Sequence, residues 1–174
     1  MYLSPLINHP RFTCIALGSN LGDSISILDH AFAELQAFSP QPLLRSSLWK
    51  TEPVDCPPNS PPFLNAVAGL IPFENESPES LLSKLQLLEK TFGRKPKIIL
   101  NEPRPLDLDL IAFGQEFRSS PELTLPHPRA HLRRFVLAPL AEIAPDYRLP
   151  GQQQSVSQLL QALAQDQMIE RLIY

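Results

Sequence analysis

Asp107 and Asp109 stand two residues apart in the run "LDLDL", Leu106 to Leu110. Successive side chains of a strand point to opposite faces, so the leucines would share one side and the aspartates the other, about 7 Å apart. Aspartate is a poor strand former, and two like charges on one face repel unless a cation lies between them. Paired carboxylates at that separation suit one or two Mg²⁺ ions, which take carboxylate and phosphate oxygens and keep several waters. Taken alone, so short a pattern is explained as well by a half-buried strand with two aspartates in solvent.

The neighbouring cations shift that balance. Arg104 immediately precedes the strand, Arg94 lies in "GRKPK" (Gly93 to Lys97), and "PHPRAHLRR" supplies His127, Arg129, His131, Arg133 and Arg134. Cationic side chains around a metal-binding pair are the parts of a phosphoryl-transfer site, where catalysis is largely positioning and charge stabilisation. Neither GxxxxGK[ST] nor GxGxxG occurs, so arginines, histidine and metal would have to hold any nucleotide phosphates. "GSNLGD" (Gly18 to Asp23) reads as a strand-to-helix turn as readily as a ligand contact.

These residues need a scaffold. "FTCIALG" (Phe12 to Gly18) has the β-branched, apolar character of a buried strand. From Ser24, Ile25, Leu28, Phe32, Leu35 and Phe38 recur at helical steps. "LLRSSLWKT" (Leu43 to Thr51) and "FLNAVAGLIPF" (Phe63 to Phe73) are strand candidates, separated by a loop whose five prolines exclude a helix or central strand. A second helix opens at Ser77-Pro78-Glu79 and stops at Gly93. The Asp107–Asp109 strand follows, and a last helix falls around "SVSQLLQALAQ". The order β-α-β-β-α-β predicts an α+β sandwich of ferredoxin-like type, an antiparallel sheet with helices on one face.

The 174 residues, 43 % hydrophobic and 19 % charged, suffice for one core, giving an aperiodic N-terminal arm over 1–11 and a single domain over 12–174. A net charge of −3 argues against a protein that coats nucleic acid or an anionic membrane. With no membrane-length apolar run and no signal-peptide pattern, a cytoplasmic protein is expected, and one acidic domain without an apolar exposed helix face is expected to be a monomer. Two cysteines without CxxC spacing are expected to be free thiols.

The segments "ALGSNLGD", "FLNAV", "LEKTFGR", "NEPRPLDLDL" and "LPHPRAHLRRFVLAPLAEIAP", together spanning about Ile15 to Asp146, resemble the 6-hydroxymethyl-7,8-dihydropterin pyrophosphokinases of folate biosynthesis. The resemblance implies a ferredoxin-like fold and transfer of the β,γ-pyrophosphoryl group of ATP to the pterin's hydroxymethyl oxygen, with AMP released. Asp107 and Asp109 would hold two Mg²⁺ ions. Arg94, Arg104, His127, Arg133 and Lys97 would contact the ATP phosphates, Arg94 and Arg104 with a catalytic role. Phe63 and Phe135 would sandwich the pterin ring, and Asn65, Thr51, Glu52 and Val54 would reach its edge. Glu89 matches a helix glutamate of the family without a role that follows from sequence. Pro96 and Asn101 stand where some members carry arginine and tryptophan, which removes a bidentate phosphate contact from that loop. From the residues alone, a Mg²⁺-dependent nucleotidyltransferase and a non-catalytic ferredoxin-like binding module remain alternatives.

Overall fold

In a computed structural model that describes residues 5–53, 56–96, 98–164 and 168–173, the apolar run after Phe12 forms strand β1 (Thr13–Ser19). Asp23 then caps helix α1 (Ser24–Leu35) by accepting the Ser26 N–H at 3.2 Å, and a 3₁₀ turn over Gln36–Phe38 closes it. The run from Leu43 to Thr51, expected as one strand, is divided into β2 (Leu44–Arg45) and β3 (Trp49–Thr51). The division has a chemical cause. Ser46 Oγ accepts the Val67 N–H at 2.9 Å while the Ser46 N–H donates to Val67 O at 3.1 Å, so a hydroxyl takes the place of a ladder partner. Ser47 turns the other way, donating from both its N–H and its Oγ to the Glu142 carboxylate.

Strand β4 (Phe63–Leu70) precedes α2 (Pro78–Thr91), which begins where predicted: Ser77 Oγ accepts the Ser80 N–H at 3.1 Å and Pro78 sits in the first turn. Gly93, at φ +90°, ends the helix in a conformation that other residues resist. Then come β5 (Asp107–Phe113), the small hairpin β6 (Arg118–Ser119) and β7 (Thr124–Leu125), helices α3 (Arg134–Ile143) and α4 (Val156–Ala162), and β8 (Ile169–Arg171).

The main sheet runs β5-β1-β4-β3-β8, with β2 also on β4 and every pairing antiparallel. Ile15, Leu17, Leu108 and Leu110 face α1 and α2, whose Leu28, Phe32, Leu81 and Leu85 complete that core. The ferredoxin-like order therefore stands, with two helices on one face. The expectation of helices on one face only needs correction: α3 and α4 cover the other, packing Val136, Leu137, Leu140 and Val156 on Cys14, Val67 and Ile111. Pro139 inside α3 removes a backbone donor and hides the helical character of this segment in the sequence.

Residues 5–11 lie against this second core. Ile7 is buried in it, and Arg11 donates to Phe73 O at 3.0 Å and Glu76 O at 2.8 Å. Cys14 is a buried thiol and Cys56 a half-buried one. Among the described residues no helix is long and apolar enough to cross a membrane.

Candidate active site

Strand β5 is an edge of the sheet, and its leucines go into the α1/α2 core while Asp107 and Asp109 stay half-buried on the opposite face. The edge leaves the Leu108 N–H, between the two aspartates, without a strand partner. Glu89 of α2 supplies one: its Oε1 accepts the Leu108 N–H at 2.7 Å and also pairs with Arg94 Nη1. The same Arg94 nitrogen reaches Asp107 Oδ1 at 2.7 Å. Arg104 Nη2 pairs with Asp107 Oδ2 at 3.0 Å, and Arg133 Nη1 lies 3.8 Å from Asp109 Oδ2. Three guanidiniums from three separate segments thus converge on two carboxylates.

Electrostatics follow from that crowding. Burial pushes the Glu89 carboxyl up to about 7, against the opposing pull of the Leu108 N–H and Arg94. Asp109 is also raised, by burial and then by the Asp107 charge beside it, so the arginines do not fully balance the pair. Burial, and then the Arg133 and Arg129 charges, lower His127 to about 4. Its Nδ1 accepts the Arg129 N–H at 3.2 Å, so in the neutral ring Nε2 carries the proton. Its backbone N–H donates to Ile111 O at 2.8 Å, which fixes the residue beside β5.

A cleft of about 540 Å³ joins these groups to a second set. Thr51 and Glu52 come from the end of β3, Phe63 and Asn65 from the start of β4, and Phe135 from the first turn of α3. Asn65 Nδ2 donates to Thr51 Oγ1 at 2.9 Å. Gly18 of β1, flanked by Asn65 and Asp107 in register, is the floor: a Cβ there would lie 3.6 Å from Asn65 Oδ1 and 3.9 Å from both Asp107 Cβ and a Phe63 ring carbon. The Arg104 guanidinium lies over the Phe63 ring at 5.6 Å and that of Arg133 over Phe135 at 5.4 Å.

Of the residues singled out from sequence, Arg94, Arg104, Asp107, Asp109, His127, Arg133, Thr51, Glu52, Phe63, Asn65 and Phe135 line this one cleft. Val54 and Lys97 lie outside the described residues. Gln86 and Glu89, to which the sequence assigned no role, also line it, as does Arg129, which the sequence placed only in the general cluster of cations. A usable signal existed for Glu89, a carboxylate that continues the buried stripe of Leu81, Leu85 and Leu88 on α2.

Residues 14–145 match the family model described as 7,8-dihydro-6-hydroxymethylpterin-pyrophosphokinase. A 2-amino-4-hydroxy-6-hydroxymethyldihydropteridine pyrophosphokinase of Haemophilus influenzae is 39 % identical over 158 residues, covering 90 % of this chain and 95 % of that one. The protein of the same name from Pseudomonas aeruginosa is 40 % identical over 140 residues, covering 78 % and 82 %. A crystal structure of an HPPK-DHPS protein in complex with substrates superposes with a TM-score of 0.68 at 11 % identity, covering 88 % of this chain and 43 % of that one. At that identity the superposition speaks for the fold, and this chain spans less than half the length of the solved protein.

Proposed function

The chain belongs to the 7,8-dihydro-6-hydroxymethylpterin-pyrophosphokinase family, and from that premise we propose how its cleft divides the work. The reaction moves the β,γ-pyrophosphoryl group of ATP to the hydroxymethyl oxygen of 6-hydroxymethyl-7,8-dihydropterin and leaves AMP, a step of folate biosynthesis.

Arg104 carries the assignment. Its Nε and Nη1 are buried without a hydrogen-bond partner among the described residues, while Nη2 pairs with Asp107. A guanidinium with unused buried donors beside two carboxylates is arranged for a ligand that brings its own anionic oxygens. The triphosphate accordingly lies along Arg94, Arg104, Arg133 and the Nε2–H of His127, with Lys97 assigned to the same subsite on sequence grounds. His127 acts there as a donor, since Nδ1 is already engaged by the Arg129 N–H and is not free to take a proton.

The donor set fits Mg²⁺: two carboxylates on one strand face leave the remaining positions to water and phosphate, and the raised pKa of Asp109 marks a place that accepts more positive charge. Asp107 and Asp109 would hold two ions, which when bound neutralise the triphosphate, lower the pKa of the attacking hydroxyl and stabilise the in-line transition state. Asp107 would then give up its arginine contacts, turning Arg94 and Arg104 toward phosphate.

Phe63 and Phe135 present their faces to the two sides of the pterin, and Asn65 Oδ1, whose companion Nδ2 is committed to Thr51, accepts from the ring edge. Thr51, Glu52 and Val54 complete that edge. Among the described residues no group of three His, Cys, Asp or Glu side chains is placed to hold a metal ion, so the metal assignment rests on Asp107 and Asp109 alone. On the sequence grounds above the enzyme works as a cytoplasmic monomer, which light scattering after size exclusion and cell fractionation test. For the metal assignment, Asp107→Ala/Asp109→Ala should lower turnover by at least a thousandfold in protein that still unfolds cooperatively at the assay temperature or above. Turnover within tenfold of wild type would remove both residues from the metal site.

A further inference from the structure

The turn after β1 has a buried side chain outside the cleft that the reaction scheme leaves unused. Asn20 is 3 % exposed. Its Oδ1 accepts the Arg104 N–H at 2.9 Å, its own N–H donates to Arg104 O at 3.2 Å, and its Nδ2 donates to Pro61 O at 3.3 Å. The amide has one workable orientation, because an N–H faces one end and a carbonyl oxygen the other. One residue therefore grips both polar groups of the Arg104 backbone and, through the other half of the same side chain, the chain two residues before Phe63. The turn that carries it is itself tied down by the Ser19 and Ser24 hydroxyls, 2.8 Å apart.

We propose that Asn20 is a positioning residue for pyrophosphoryl transfer, holding the backbone that presents Arg104 to ATP in register with the backbone that presents Phe63 to the pterin. The inference rests on the functional reading above. Arg104 is the junction of the two halves: it pairs with Asp107 and lies over Phe63. Its guanidinium donors are aimed by a backbone whose own hydrogen bonds go to Asn20. A shift of that backbone misaligns the phosphates against the pterin hydroxymethyl while leaving each substrate's own contacts in place. The cost of such a shift falls on the aligned, doubly occupied state rather than on separate binding.

The test compares wild type, Asn20→Asp and Asn20→Ala. Asn20→Asp keeps an acceptor for the Arg104 N–H and replaces the donor to Pro61 O; Asn20→Ala removes both links. Wild type is first assayed for AMP formation from ATP, Mg²⁺ and 6-hydroxymethyl-7,8-dihydropterin. No AMP from wild type would overturn the functional reading itself. With wild type active, Asn20→Ala should lose at least tenfold in kcat with both KM values within about threefold, and Asn20→Asp should fall between the two. A kcat within twofold of wild type in both variants, with or without a lower unfolding midpoint, would make Asn20 purely structural. A loss confined to KM would equally overturn the positioning role. If Asn20→Ala does not fold, Asn20→Asp decides by the same criteria.

Discussion

Glu89 shows how one side chain can tie a strand edge to a charge network. Its carboxylate satisfies the Leu108 N–H between the two aspartates and holds Arg94 against Asp107. Glu89→Gln keeps an acceptor for that N–H, whereas Glu89→Ala leaves it buried and unpaired, so Ala should destabilise by about 1–3 kcal/mol more than Gln in urea unfolding. The pH dependence has a definite sign. A folded-state pKa near 7, above the ordinary 4.5, means stability from this group is complete below about pH 4.5 and is lost as pH rises through 7. Glu89→Gln should flatten that part of the stability profile, and an unchanged slope would contradict the assignment. At Gly18, the space admits a Cβ but little more before the cleft floor is filled. Gly18→Val should leave the unfolding midpoint within a few degrees of wild type and cut kcat/KM for the pterin at least a hundredfold.

At the scale of elements, the departure from sequence expectation between β2 and β3 has a measurable consequence. Val67 lies at the core of the sheet, and its N–H depends on the Ser46 hydroxyl rather than on a neighbouring strand. Ser46→Ala should cost about 1–3 kcal/mol in equilibrium unfolding, with KM for both substrates unchanged because the break lies away from the cleft. That break was hidden in the sequence, since nothing in "RSSL" distinguishes a serine that replaces a ladder partner from one that sits in the ladder. Strand β5, by contrast, was legible down to the face of each aspartate, because strict alternation of leucine and aspartate displays period 2 directly. The amphipathic stripes and start signals of α1 and α2 were legible for the same kind of reason. Helix α3 was masked by Pro139. Asn20 and Glu89 were opaque as to role because their partners, Arg104, Pro61 and Leu108, are 19 to 84 positions away, and no local period records such contacts.

On the scale of the whole molecule, a chain of net charge −3 concentrates Arg94, Arg104, Arg129 and Arg133 around one cleft. Such local concentration of cations in an acidic protein favours a small polyanion over a polymeric one. The two-faced sheet matters here: α1 and α2 anchor the leucines of β5 from one side, while the segment leading into α3 brings His127, Arg133 and Phe135 to its aspartates from the other. The cleft is thus assembled from segments between Ala16 and Phe135 that meet only in the folded chain. In this assembly the pterin hydroxymethyl oxygen attacks ATP at its β-phosphorus, and the nucleotide product reports the position of attack. Incubating the wild-type protein with ATP, Mg²⁺ and 6-hydroxymethyl-7,8-dihydropterin should yield AMP in step with the pterin pyrophosphate, and only when pterin and metal are both present. Release of pyrophosphate, or of ADP, would place the attack at a different phosphorus and contradict the account.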